Sequence, residues 1–350
     1  MTALADSYDA LLLDLDGTVY LGGQVIPHVV EALIEASQRG ARPMFVTNNA
    51  SRPPAEVAAV LNGMGVAAAD SDVLTSPEAA ASMLAQTHPA GSKVLIVGAK
   101  ALSDAVADAG LAPVRLATDQ PVAVVQGHSP DTGWRDLAEA CIAIRSGVDW
   151  VASNTDVTLP TDRGLLPGNG AMVEALKAAT GRTPRVAGKP NRPLLDEAVR
   201  RAGSKRPLVV GDRLDTDIEA AVLAGLPSLL VLTGVSTAID LLEAPSSRRP
   251  THVSFDMRGL IDEDLVAEIH DTTGLSASPW SVESDGDGLV LVGELAESDD
   301  ARDDGRDLRA LALLAAKAWS DGVNKVRAQG AAATTVLARF GLTQTRAHGS

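Results

Sequence analysis

The chain holds a single cysteine, Cys141, in 350 residues. That excludes an internal disulfide framework and a multi-cysteine zinc site. Aromatic residues make up only 3%, too few for the stacking platforms that bind single-stranded nucleic acid. Basic residues are also short, with 30 Lys and Arg against 45 Asp and Glu, a net charge of −15. A chain this acidic is repelled by a nucleic-acid backbone or an anionic membrane, so neither is an expected partner. No apolar run approaches the ~20 residues of a spanning helix. Met1 to Asp9 carries two acidic residues and no basic one, unlike a secretory leader, and a cytoplasmic location is expected. What the chain does have is 45% apolar and 21% charged residues, the balance of a folded globular protein. At about 150 residues per domain, its length suggests two or three domains.

Short apolar runs alternate with amphipathic stretches. Ala10-Leu11-Leu12-Leu13 reads as a fully buried strand ending at Asp14. Val29 to Arg39 has helical spacing at Val30, Leu33 and Ile34, with Gly40 as its stop. Met44 to Val46, Leu208 to Val210 and Ser228 to Leu232 read as further strands, ending at Thr47, Gly211-Asp212 and Thr233-Gly234. Pro193 to Ala202 and Asp217 to Ala224 fit helices between them. This alternation predicts an α/β fold: a doubly wound, Rossmann-like parallel sheet covered on both faces. A second α/β set lies between these groups. Its strands are Val94 to Val97, Val122 to Val125 and Trp150 to Ala152, and its helix is Trp134 to Arg145, where Cys141 shares a face with Leu137 and Ile144. The expected organisation is a discontinuous core, 1–75 plus 187–270, around an inserted cap at 76–186.

From about residue 275 the chain changes character. Ser281 to Ala310 holds ten acidic residues and three arginines. Asp285-Gly286-Asp287-Gly288 reads as a turn before a strand at Leu289 to Val292, Leu308 to Trp319 reads as a helix, and Leu337 to Leu342 as the end of another. A small α+β extension at 275–350 is expected.

In open parallel sheets, ligands bind beyond the carboxyl ends of the strands. Four segments put polar groups there: Asp14 and Asp16, then Thr47-Asn48-Asn49, then Lys189 before a helix, then Asp212, Asp215 and Asp217. Each alone has an ordinary reading as a turn, a solvated loop or a helix start. Together, carboxylates, a hydroxyl and one lysine on a single rim suit a hard cation with a phosphate. Mg²⁺ fits best, because it takes few protein oxygens along with water and substrate oxygens.

At these residues the sequence resembles the haloacid dehalogenase superfamily. Asp14-Leu15-Asp16-Gly17-Thr18 resembles its nucleophile motif, Thr47 its second motif and Lys189 its third. Gly211-Asp212-Arg213-Leu214-Asp215-Thr216-Asp217 resembles its metal-binding fourth. The long insertion, with Thr47-Asn48-Asn49-Ala50-Ser51, Pro167-Gly168-Asn169-Gly170 and Gly188-Lys189-Pro190, is similar to the branch of small-metabolite phosphatases with a large α/β cap. The resemblance spans roughly residues 8–260 and leaves out the acidic tail.

The resemblance implies a phosphatase acting through an aspartyl phosphate on Asp14, with Asp16 as general acid and then base. It places Mg²⁺ on the Asp14 carboxylate, the Asp16 main-chain carbonyl and Asp212. Thr47, Asn48, Asn49 and Lys189 would hold the phosphoryl group. Asp217 would orient the metal's surroundings or Lys189, with Asp215 a weaker candidate for that work. The expected partner is a small phosphorylated metabolite, with glycerol 3-phosphate first and phosphoglycolate, pyridoxal phosphate and nucleotides open. A phosphomutase on the same core is the enzymatic alternative. A non-catalytic binding protein with a partner-recruiting tail is the alternative of another class. A homo-oligomer is left open. Substrate choice is expected in the cap loops at His128 to Asp131, Asn154 to Asp156 and Gly168 to Gly170.

Overall fold

The computed structural model describes residues 3–50, 52–161, 163–269, 276–277, 279–286, 288–293 and 303–342. Ser51 of the Thr47 motif, Asp287 of the expected turn and tail residues 294–302 lie outside the described residues. The chain divides into two compact units, Met1–Pro43 with Ser204–Ser350, and Met44–Gly203. Among the described residues, no helix is long and apolar enough to cross a membrane.

In the first unit, parallel strands Ala10–Leu13, Pro207–Gly211, Ser228–Val231 and His252–Ser254 lie side by side in that order. Ala267–Glu268 adds an antiparallel edge. The four parallel strands are buried at every position. Apart from Ser228, His252 and Ser254, these strands are apolar, as expected where helices cover both faces of a parallel sheet. The expected helix from Asp217 begins instead as a π-helical turn, Leu214–Ile218, and becomes α-helical only over Glu219–Ala224. Widened turns of this kind are often found at functional sites.

The tail forms a second sheet in this unit. Its strands are Ser276–Ala277, Trp280–Asp285, Gly288–Gly293 and Val326–Gln329, antiparallel except for the last pair. Helices Asp304–Asp321 and Ala331–Arg339 accompany it, the first of them longer than the Leu308 to Trp319 stretch read from sequence. The tail is not a separate layer with its own core. Trp280, Leu289, Leu311 and Leu314 share one buried cluster with Leu230, Leu241, Leu242 and Val253.

In the second unit, strand Arg42–Thr47 enters from the preceding segment and pairs in parallel with Val73–Thr75. A five-stranded parallel sheet follows, ordered Arg185–Val186, Asp149–Ala152, Ala123–Gln126, Lys93–Val97 and Ala112–Val114. An antiparallel hairpin joins Thr158–Thr161 to Gly164–Pro167. Helix Trp134–Arg145 turns Ala140, Ala143 and Ile144 inward, and Cys141 and Leu137 pack at the edge of that cluster.

Candidate active site

Leu13 and Val210 are register partners on adjacent parallel strands. The residues that follow, Asp14 and Gly211-Asp212, therefore emerge together at the carboxyl edge of the sheet. The Asp14 amide donates to the Val210 carbonyl at 2.9 Å, which carries the pairing one residue past the strand. The π-turn then brings Asp217 back to the same place. Carboxylate oxygens of Asp14, Asp212 and Asp217 lie within 4.8 Å of one another. The sequence reading expects Asp217 to orient the metal's surroundings or Lys189; its carboxylate lies in the same cluster as those of Asp14 and Asp212. Asp215 points elsewhere: it is paired to Arg213 at 2.9 and 3.0 Å, and that pairing holds its carboxyl below the usual range.

Asp212 is fully buried. One oxygen accepts from the Thr18 hydroxyl at 3.1 Å and the other from the Val235 amide at 2.7 Å. Burial and then the Asp14 charge push its carboxyl above the ordinary range. An Asp217 oxygen accepts from the Arg213 amide at 3.2 Å. Gly17 sits at φ +88°, and a Cβ there would come within 2.5 Å of Asp212 Oδ2. Glycine thus serves both the left-handed turn and the close approach. Asp16 is exposed on this turn, whose Gly17 amide donates to the Tyr20 carbonyl at 2.8 Å. Packing around its carboxyl, and then Asp14, raise the Asp16 pKa.

The second unit holds the remaining expected residues. Thr47 is buried at the end of its strand, and its hydroxyl accepts from the Asn49 amide at 3.1 Å. Asn48 clamps the backbone of Lys189: its Oδ1 accepts from the Lys189 amide at 2.8 Å, and its Nδ2 donates to the Lys189 carbonyl at 2.9 Å. Lys189 is itself buried and donates from Nζ to the Val46 carbonyl at 3.1 Å. Thr47, Asn48 and Lys189 therefore form one cluster, with Asn49 exposed beside it.

Sequence reasoning gave no role to Thr18, Thr233 or the Val235 amide, which buttress the acidic loop. Thr233 donates to the Gly17 carbonyl at 2.6 Å. Their signal was position alone: each lies within a few residues of the end of a buried strand. Asn154 was placed in a cap loop; its side chain donates to the Asn48 carbonyl at 2.9 Å. Gly168 and Gly170 pack against the Asp156 and Thr155 carbonyls, where any Cβ would collide.

Comparison with known proteins places the chain in a family. The pattern of the haloacid dehalogenase-like hydrolases matches residues 11–112, and that of HAD-hydrolase-like proteins matches 186–260. A D-glycerol 3-phosphate phosphatase of Mycobacterium tuberculosis is 50% identical over 321 residues, 91% of this chain and 88% of the relative. The crystal structure of a glycerol phosphate phosphatase from the same organism, in complex with magnesium, superposes with a TM-score of 0.87 at 46% identity. That alignment covers 98% of this chain and 100% of the other. A p-nitrophenyl phosphatase from Archaeoglobus fulgidus has a TM-score of 0.67 at 28% identity, covering 73% of this chain and 98% of its own. With half its residues identical to one relative over nearly the full length of both, and strand-end acids where the motifs require them, the chain belongs to the haloacid dehalogenase-like hydrolase family.

Proposed function

We propose that the chain is a Mg²⁺-dependent phosphatase that hydrolyses a small phosphomonoester, glycerol 3-phosphate above others, through an aspartyl phosphate on Asp14. The observation that carries this reading is the trio Asp14, Asp212 and Asp217, three hard oxygen donors drawn within 4.8 Å at a sheet edge. Left alone, three carboxylates this close repel one another; burial, and after it the Asp14 charge, hold the Asp212 carboxyl above its ordinary range. A divalent cation relieves that repulsion, and an all-oxygen set suits Mg²⁺. Similarity to glycerol phosphate phosphatases supports the choice of substrate.

Asp14, Asp212 and the Asp16 carbonyl would hold the ion, with Asp217 beside them. When bound, the ion would neutralise charge on the phosphate and carboxylate oxygens. An Asp14 oxygen attacks phosphorus while Asp16 gives a proton to the leaving alkoxide. Asp16 then takes a proton from the water that cleaves the aspartyl phosphate. Lys189 and Thr47, with Asn48 and Asn49, neutralise and orient the phosphoryl oxygens in this reading. We also assign substrate selection to the sheet and hairpin within 76–186, read as a cap domain inserted in a core of 1–75 and 187–270.

The direct test is a phosphate-release screen over glycerol 3-phosphate, 2-phosphoglycolate, pyridoxal phosphate and nucleoside monophosphates, with and without Mg²⁺. Glycerol 3-phosphate should lead, and chelation should abolish release. Release unaffected by chelation would remove the metal from this reading.

Metal binding should also show in stability. A ligand that binds only the folded chain at about 100 times its Kd adds about 2.7 kcal/mol. Saturating Mg²⁺ should therefore raise the melting temperature, and Asp212→Asn should shrink the gain. A melting curve indifferent to Mg²⁺ at every concentration would speak against the acidic trio as its site.

A further inference from the structure

A pocket of about 390 Å³ lies within the second unit, at the ends of strand Ala123–Gln126 and the Thr158–Pro167 hairpin. That is within the size range of small-molecule sites. Leu159, Leu166 and Met172 supply its apolar wall, while Ser129, Thr132 and Thr161 supply hydroxyls. Among the described residues that line it, His128 is the ionisable one, and none is a lysine or arginine. Two amide side chains line it as well, Gln126 at 0% and Asn169 at 2% exposure. Both atoms of the Gln126 amide, and Asn169 Oδ1, have no hydrogen-bond partner among the described residues. Buried amides are rarely left this way, because each unmatched group weakens the fold.

The pocket is wired to the lysine cluster. Asn169 Nδ2 donates to the Asn154 carbonyl at 2.6 Å, and Asn154 Nδ2 to the Asn48 carbonyl at 2.9 Å. Asn48 in turn accepts from the Lys189 amide at 2.8 Å. The free face of the Asn169 amide is therefore held in fixed register with Lys189.

We infer that Gln126 and Asn169 select the substrate's leaving group and that this group is a neutral polyol. An alcohol hydroxyl both donates and accepts. It can give its proton to Gln126 Oε1 or Asn169 Oδ1 and take one from Gln126 Nε2, so neighbouring hydroxyls satisfy all three orphaned atoms. A carboxylate only accepts. It could take hydrogen bonds from Gln126 Nε2 and the hydroxyls, but it would leave Gln126 Oε1 and Asn169 Oδ1 unmatched beside its charge, with no lysine or arginine among the described lining residues, so acid-bearing esters such as 2-phosphoglycolate are disfavoured.

This inference rests on the phosphatase reading, and the experiment separates the two. Steady-state kinetics of the full-length protein with Mg²⁺ are measured on glycerol 3-phosphate, 2-phosphoglycolate and p-nitrophenyl phosphate. For the wild type, kcat/KM on glycerol 3-phosphate should exceed that on 2-phosphoglycolate by about 10-fold or more. Gln126→Met keeps the bulk and removes both polar atoms. It should lower the ratio of kcat/KM for glycerol 3-phosphate over p-nitrophenyl phosphate by about 10- to 100-fold, chiefly through KM. Its melting temperature should stay at or above the wild type's, because an orphaned amide has been removed. A residue that merely supports the fold would lower both activities together and the melting temperature with them. If Gln126→Met does not fold, Gln126→Leu, smaller and likewise without polar atoms, carries the same ratio. An unchanged ratio, or a wild type that prefers 2-phosphoglycolate, overturns the inference while the phosphatase reading stands. No release from any of the three esters overturns both.

Discussion

Asp16→Asn protein mixed with p-nitrophenyl phosphate and Mg²⁺ should release one rapid burst of nitrophenolate, about one per active site, and then stall as a phosphoprotein. In the proposed mechanism, the physical reason is the difference between the two halves of the reaction. Nitrophenolate leaves without help, so loss of the proton donor hardly slows the attack by Asp14. The second half needs a base to activate water whichever ester supplied the phosphoryl group. Asn keeps the shape of the turn and its main-chain carbonyl while removing that base. On glycerol 3-phosphate, whose alkoxide is a poor leaving group, turnover should fall by about 10²- to 10⁴-fold with no burst. Asp14→Asn should give no burst with either ester. Rapid-quench kinetics and intact-protein mass spectrometry read both outcomes. Equal losses on the two esters with no trapped phosphoprotein would leave Asp16 only a structural role on the turn.

The other large effect is expected far from the chemistry. Truncation after Ile269 removes helix Asp304–Asp321, which packs on Ala238–Leu242 and Ala267–Glu268. It also removes the indole of Trp319, which donates to the Leu241 carbonyl at 2.9 Å while Arg249 lies over its ring at 5.0 Å. The stacked Phe255–Phe340 pair, 5.3 Å between centroids, and Arg339 on its face at 4.1 Å would go too. Uncovering three large side chains, such as Leu241, Leu242 and Val253, costs about 6 kcal/mol at roughly 2 each. That is comparable to the whole stability of a typical domain, about 5–15 kcal/mol. The truncated chain should aggregate or melt far below the full chain. Leu311→Ala, in the full chain, should cost about 2–5 kcal/mol. Thermal and urea unfolding measure both. A truncated chain that melts like the full one would mean the tail is separable. The tail carries none of the residues assigned to the reaction, so whatever truncated protein stays folded should keep its activity per molecule.

Much of this protein is legible in its sequence, and the reason is burial. A parallel strand covered on both faces must be largely apolar, so the runs in Ala10–Leu13, Pro207–Gly211 and Ser228–Val231 stand out without any partner being known. Polar groups that directly follow such strands must lie at the sheet edge, which is why Asp14, Thr47 and Asp212 could be named from their order alone. Strands of two or three residues with half-exposed positions, such as Ala112–Val114 and Arg185–Val186, have no such pattern and were missed. The hairpin ending at Gly164–Pro167 is exposed along its second strand and gave no burial signal either. Other features depend on approach in space, which no local pattern encodes. Asp217 joins Asp14 because a π-turn winds it back, not because of its spacing. Gln126 reads as one more strand residue until its amide is seen buried without a partner. The acidic tail reads as an appendage because its charges dominate the sequence. Only the packed fold shows Trp280, Leu289 and Leu311 completing the core of the unit that carries Asp14 and Asp212. An apolar residue's sequence says that it must be buried; only tertiary structure decides against what.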